Sequence, residues 1–201
     1  MRDFASTYYQ ALKNFIDGLT VTDKAGGGLG FFQGIEQVAS LLLERGRAGN
    51  KLFFIGNGAS AAISSHMSTD FWKNGGIRAL AFNDGALLTC MGNDYGYDLV
   101  FAKPIEMFAD AGDVLIAISS SGQSPNILKG VAAAREQHCQ VVTLSGFQPD
   151  NPLRSLGDYN FYVPANNYGP VEILHHSICH CLLDAVYHHP GQLGRAGGQS
   201  R

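Results

Sequence analysis

Ala117-Ile118-Ser119-Ser120-Ser121-Gly122-Gln123-Ser124-Pro125-Asn126 is the stretch on which the reading of this chain turns. Ahead of it, Val114-Leu115-Ile116-Ala117-Ile118 is an apolar run with no glycine or proline, the pattern of a buried parallel strand. Behind it, Ile127-Leu128-Lys129 through Arg135 has helical periodicity. Ser124 suits an N-cap, and Pro125 suits the first helical position, where its missing N–H is not needed. Backbone N–H groups and serine hydroxyls therefore converge on the positive end of a helix dipole, which is an anion site of a kind that takes phosphate. An ordinary serine-rich turn with a standard cap would read the same way.

A second turn of this type occurs earlier. Lys51-Leu52-Phe53-Phe54-Ile55 reads as a short buried strand. It ends in Gly56-Asn57-Gly58-Ala59-Ser60, followed by a helix rich in small residues up to about Trp72. This is not a dinucleotide fingerprint, because no third glycine follows at the required spacing. Small residues here let a ligand approach the backbone closely. Arg78 to Phe82, Val141 to Leu144 and Tyr159 to Val163 are further strand candidates, the last expected at a sheet edge. Helical patterns cover residues 3–17, 31–47, 87–91, 100–108, 125–136 and 171–187, and Gly92 to Asp98 reads as a polar loop with aromatics. Asp23 to Gly30, with three consecutive glycines, reads as a flexible joint. Strands alternating with helices predict a parallel, doubly wound sheet, whose ligands sit at the carboxyl ends of the strands where strand order reverses. If the strands ahead of the two loops are neighbours there, the loops at 56–60 and 119–124 face one pocket.

The chain has 201 residues, of which 45% are hydrophobic, so it can bury a full core. A formal net charge of −3 and a pI near 6.1 argue against a dominant nucleic-acid or anionic-membrane surface. Cys90, Cys139, Cys179 and Cys181 form no C-x-x-C, and no targeting pattern or membrane-length apolar run is present, as expected of reduced thiols in a cytoplasmic protein.

Two groups of acid–base or metal candidates lie on helices. His66 and Asp70 are four apart on the helix after the first loop and share one face. Glu172 and His180 lie eight apart on the last helix, with His176 between them. Two histidines and two carboxylates can assemble a divalent metal site or serve as a general acid and base. Spacing alone favours four polar groups on half-exposed helices with no contact between the pairs. His138, His188 and His189 are assigned no role.

Taken together, Gly56-Asn57-Gly58-Ala59-Ser60-Ala61, His66-x-x-x-Asp70, Asn93-Asp94-Tyr95-Gly96-Tyr97-Asp98, Gly112-Asp113-Val114-Leu115 and Ser119 to Ser124 occur in an order that resembles the sugar isomerase (SIS) domain family, in its phosphoheptose isomerase branch. The resemblance spans roughly residues 35 to 189. It implies a three-layer α/β/α sandwich on a five-stranded parallel, doubly wound, flavodoxin-like sheet. One domain would cover residues 1–189, including N-terminal helices over 1–47, with a disordered tail over 190–201. It further implies a cytoplasmic homotetramer that converts sedoheptulose 7-phosphate to D-glycero-D-manno-heptose 7-phosphate for lipopolysaccharide or surface-sugar synthesis. By the same resemblance, Asn57, Gly58, Ala59, Ser60, Asn93, Asp94, Ser119, Ser120, Ser121, Ser124 and Glu172 contact the sugar phosphate. His66, Asp70, Glu172 and His180 would bind one zinc per subunit, with Asp70 as base and His180 as acid. Asp70 stands where the branch usually has Glu, and Glu172 where it usually has Gln. Lys73 and Arg78 are both candidates for a basic residue meeting the phosphate. The alternative is a non-catalytic SIS-domain protein that binds a sugar phosphate or associates with a replication initiator. The four side chains at 66, 70, 172 and 180 favour the enzyme.

Overall fold

The computed structural model describes residues 1–189; the expected tail over 190–201 lies outside them. Five strands run parallel: β3 (Leu52–Gly56), β4 (Ala79–Ala81), β5 (Val114–Ser119), β6 (Gln140–Ser145) and β7 (Tyr159–Tyr162). Two short antiparallel strands, β1 (Thr20–Asp23) and β2 (Gly28–Leu29), extend the sheet beyond β7 and make it seven-stranded, in the order β2-β1-β7-β6-β5-β3-β4.

Two expectations are corrected here. The glycine-rich joint at 23–30 is the turn of a β-hairpin. The Asp23 carboxylate accepts from the backbone N–H of Ala25 and Gly27, and Gly26 supplies the positive φ of 80° that the turn needs. As a result Tyr159–Tyr162 is not an edge strand, because β1 covers its free side along four residue pairs.

The central strands β3 and β5 are buried along their whole length, because helices cover both faces of the sheet. On one face α2 (Phe31–Arg47), α3 (Ala59–Lys73) and α7 (Tyr168–His188) pack with Phe54, Ile116, Ile118 and Phe161. On the other, α5 (Ala102–Phe108) and α6 (Pro125–Glu136) pack with Phe53, Ile55, Leu115 and Ala117. The alternation of side chains along each strand divides the core between the two layers. The N-terminal helix α1 (Arg2–Asp17) rests on α7, with Leu12 and Phe15 against the first layer. Helix α4 (Gly85–Tyr95) begins at Asp84, whose carboxylate caps the N–H groups of Ala86 and Leu87. It runs through Asn93 and Asp94, which sequence placed in a loop.

Strand order reverses between β3 and β5: from β3 the chain moves outward to β4, and from β5 it moves the other way through β6 to β7. Gly56 pairs with Ile118 at the carboxyl ends of these two strands, so the loops leaving them emerge side by side at the switch point.

Candidate active site

The two loops do line one cavity. About 250 Å³ in volume, it is bounded by Asn57, Gly58, Ala59 and Ser60 from the first loop and by Ile118, Ser119, Ser120, Ser121 and Ser124 from the second. Tyr168 and Glu172 of the first turns of α7 close a third side. Each loop is shaped by a backbone constraint that its sequence meets. At Gly56 a Cβ would lie 2.5 Å from the backbone of Ser60, so only glycine lets β3 pass directly into α3. Gly58, the residue before α3, has a φ of 56°. In the second loop Gly122 has a φ of 63°, and a Cβ there would run into the Asn151 side chain. The Gly122 N–H donates to the Ser119 carbonyl at 3.1 Å and lies 3.2 Å from the Ser119 hydroxyl. Ser124 sits at the N-cap of α6 but does not cap it with its side chain; its hydroxyl meets that of Ser119 at 3.3 Å. The hydroxyls are thus turned toward each other and the cavity, and the start of α6 keeps its dipole uncompensated by a capping oxygen.

A reciprocal amide pair joins the loops. Asn57 and Asn126 each donate to the other's side-chain carbonyl at 2.9 Å, and Asn126 is 2% exposed. The hydroxyl of Tyr97 donates to the Asn57 carbonyl at 3.2 Å. The sequence assigns no part to Asn126, although it lies within the stretch 117–126. Its position one residue after the proline of α6 was the only available signal. Asn93 and Asp94, expected at the substrate, lie on the last turn of α4 and hydrogen-bond to each other at 2.9 Å; neither lines the cavity. Lys73 and Arg78 do not line it either, and Arg78 bonds the carbonyl of Gly49 at the opposite edge of the sheet. Among the described residues no basic side chain lines this cavity, which offers hydroxyls, an amide, backbone N–H groups and the Glu172 carboxylate.

Beside the cavity, α3 and α7 pack together and bring their histidines into contact. The expectation of no contact between the two pairs is overturned. The rings of His66 and His180 are 5.4 Å apart, those of His66 and His176 are 5.3 Å apart, and those of His176 and His180 are 4.6 Å apart. One ring nitrogen from each of the three lies within 4.8 Å of those from the other two. Asp70 sits one turn along α3, with its carboxylate 3.3 Å from Nε2 of His66 and its side chain 17% exposed. Glu172 is not in this cluster; it lines the serine cavity one turn earlier on α7. Among the described residues, then, three imidazoles come together where sequence proposed two imidazoles and two carboxylates. Burial, followed by the neighbouring rings of His180 and His66, holds His176 below its ordinary value against the pull of Asp70. Its Nε2 is buried and has no hydrogen-bond partner. The i, i+4 spacing of His176 and His180 was the sequence signal for this grouping, masked by the abundance of histidine near that end.

His175, the neighbour of His176 on α7, is fully buried, and its Nε2–H donates to the Ser145 carbonyl at 3.1 Å, tying α7 to the end of β6. Burial pushes it down to about 4, so it is neutral at physiological pH.

Comparison with known proteins agrees with this geometry. The SIS domain family model matches residues 30–146. A phosphoheptose isomerase of Geobacter sp. (strain M21) is 37% identical over 158 residues, covering 76% of this chain and 82% of that protein. One from Thiobacillus denitrificans is 39% identical over 160 residues, covering 76% and 81%. The solved structure of a phosphoheptose isomerase from Francisella tularensis superimposes with a TM-score of 0.80 at 27% identity, covering 92% of this chain and 97% of that one. With two loops meeting at the strand reversal and a histidine cluster on the adjoining helices, the chain belongs to the SIS domain family, as an isomerase of its phosphoheptose isomerase branch.

Proposed function

We propose that this site converts sedoheptulose 7-phosphate to D-glycero-D-manno-heptose 7-phosphate by proton transfer through an enediol. One observation carries the reading: the serine loop and the Asn57–Ser60 loop line one cavity, and α7 runs from that cavity at Glu172 to the histidine cluster. A helix rises about 1.5 Å per residue, so His176 and His180 lie roughly 6 and 12 Å along α7 from Glu172. The substrate has the same polarity, with its phosphate at one end and its reacting carbons at the other.

In this reading Ser119, Ser120, Ser121 and Ser124 hold the phosphate through their hydroxyls and the N-terminus of α6, with Asn57, Gly58, Ala59 and Ser60 opposite. The Asp70 carboxylate removes a proton from C1 of the ketose; the electron pair forms the C1–C2 double bond, and the carbonyl oxygen on C2 takes up a proton. The hydroxyl on C1 then loses its proton as the aldehyde forms, and Asp70 returns a proton to C2. Atoms and electrons balance without an oxidant. His180 gives the proton that the C2 oxygen takes up and receives the one that the C1 hydroxyl releases, so it ends the turnover as it began. The contact to His66 holds Asp70 in place.

The donor set fits a zinc ion: imidazole nitrogens from two helices, one of them buried without a partner, beside a carboxylate. When bound, zinc supplies a Lewis acid that polarises a substrate oxygen. A cytoplasmic homotetramer serving lipopolysaccharide or surface-sugar synthesis follows from the same family reading. Self-association is supported by the exposed aromatics Phe4, Tyr9 and Phe32 on α1 and α2. Among the described residues no helix is long and apolar enough to cross a membrane.

The test is proton NMR of the protein with sedoheptulose 7-phosphate in D₂O, with and without zinc. An aldose signal with solvent deuterium on the carbon beside the carbonyl is expected. Binding of the sugar phosphate without exchange would refute the reading.

A further inference from the structure

We infer that His176 is a metal ligand in this chain, so that His66, His176 and His180 form a three-imidazole site while Glu172 belongs to the serine cavity. The inference deepens the proposed active site but is read from metal binding without substrate, so either can fail alone. Three observations carry it. His176 and His180 are one turn apart on α7 and share a face, and α3 sets His66 against both, the arrangement of two helical histidines at i, i+4 with a third ligand from a neighbouring element. The ligand atoms of all three lie within 4.8 Å of one another, close enough for a small inward motion to place them around one ion. Finally, Nε2 of His176 is buried and unpartnered, a state a polar atom holds only at a cost unless a ligand satisfies it.

Packing alone accounts poorly for this residue. A leucine or phenylalanine would fill the same space between α3 and α7 without burying a bare nitrogen. Asp70 completes the arrangement as the carboxylate that orients His66, the outer-shell partner that metal-bound histidines regularly have. Three neutral imidazoles leave a fourth position open, the ligand count of catalytic zinc sites.

The chelator-stripped full-length protein is titrated with Co²⁺, read by its visible absorption, and with Zn²⁺, read calorimetrically. The wild type is expected to bind one equivalent per chain with an intense tetrahedral Co²⁺ band. His176→Gln should weaken binding more than ~100-fold, beyond the usual effect of losing an outer-shell partner, and abolish the band. Glu172→Gln should leave affinity and spectrum unchanged. X-ray absorption of the Zn²⁺-loaded wild type counts imidazoles directly and is independent of how the variants fold; three are expected. Two imidazoles, wild-type affinity in His176→Gln, a large loss in Glu172→Gln, or no metal bound by the wild type would each overturn the assignment.

Discussion

Asp70 is the residue on which the proposed chemistry depends most directly. Asp70→Asn keeps the shape of the side chain and removes its ability to take a proton. Turnover should fall by ~10³-fold or more, within or beyond the usual range for a lost general base, while sugar-phosphate binding persists. Calorimetric titration of the variant alongside the D₂O exchange assay separates the two; full activity would remove Asp70 from the mechanism. Gly122 is constrained for a different reason. Alanine there meets both a positive φ of 63° and the Asn151 side chain. Gly122→Ala should cost about 2–4 kcal/mol, from the strain of the left-handed backbone and the overpacking together. For a chain of this size that lowers the melting temperature by roughly 5–15 °C, measurable by calorimetry. Weaker phosphate binding should accompany it, because the same turn aims the Ser119 hydroxyl. An unchanged melting temperature would show that the loop relaxes freely.

Between elements, the Asn57–Asn126 pair is the joint that holds the end of β3 against the start of α6. Both amides donate and accept, so removing either leaves a largely buried partner unsatisfied, at about 1–3 kcal/mol. Asn57→Ala and Asn126→Ala should therefore each destabilise the protein and raise the KM for the sugar phosphate. Combined in a double-mutant cycle they should show a coupling of about 1 kcal/mol. Strict additivity would mean the loops are held by other contacts. Element boundaries were largely legible: the helices at 31–47 and 125–136 and the strand beginning at Val114 have the ends that periodicity assigned. The hairpin at 20–29 was not legible, because its strands hold four and two residues and it is held by the pairing of β1 with β7 rather than by pattern. The last turn of α4 was missed for a related reason, since Gly92, Asn93 and Asp94 are poor helix formers and the cap at Asp84 lies at the far end.

Across the whole molecule, the candidate ligand-binding groups gather at the carboxyl edge of the sheet, while a compact charged cluster secures the amino edge. There the Asp113 carboxylate, fully buried, accepts from the N–H of Lys51 at 2.7 Å and of Asp110 at 2.9 Å. It also pairs with the Lys51 ammonium at 2.9 Å. Asp113→Ala strands these donors and should cost about 3–5 kcal/mol, the usual effect of breaking a buried pair. Isomerase KM at a permissive temperature should stay within twofold of wild type, because the site lies at the other end of the strands. A large KM change would show that the two edges are coupled. Cys139, beside this cluster, is pushed up to about 11 by burial and then by Asp113. Since its folded value exceeds the ordinary thiol value of 9.0, the unfolded chain releases the proton first. Its contribution to stability is complete below about pH 9 and drains away as pH rises toward about 11. Denaturant midpoints measured across that window should fall for wild type more steeply than for Cys139→Ala.

By itself the sequence determined the parallel, doubly wound class, the two strand-to-helix loops and their polarity. These are local properties: apolar runs choose strands, helical periodicity chooses helices, and glycine, serine and proline mark the turns between them. It also singled out His66, Asp70, Glu172 and His180 as candidates for acid–base or metal chemistry. Only the tertiary structure decided which of them meet. The strand reversal between β3 and β5 brought the loops to one cavity, and the packing of α3 on α7 placed His176 with His66 and His180 while leaving Glu172 at the cavity wall. Helical spacing fixes azimuth within one helix, but the rotation and offset of one helix against another depend on the core packed beneath both, and no local pattern records that.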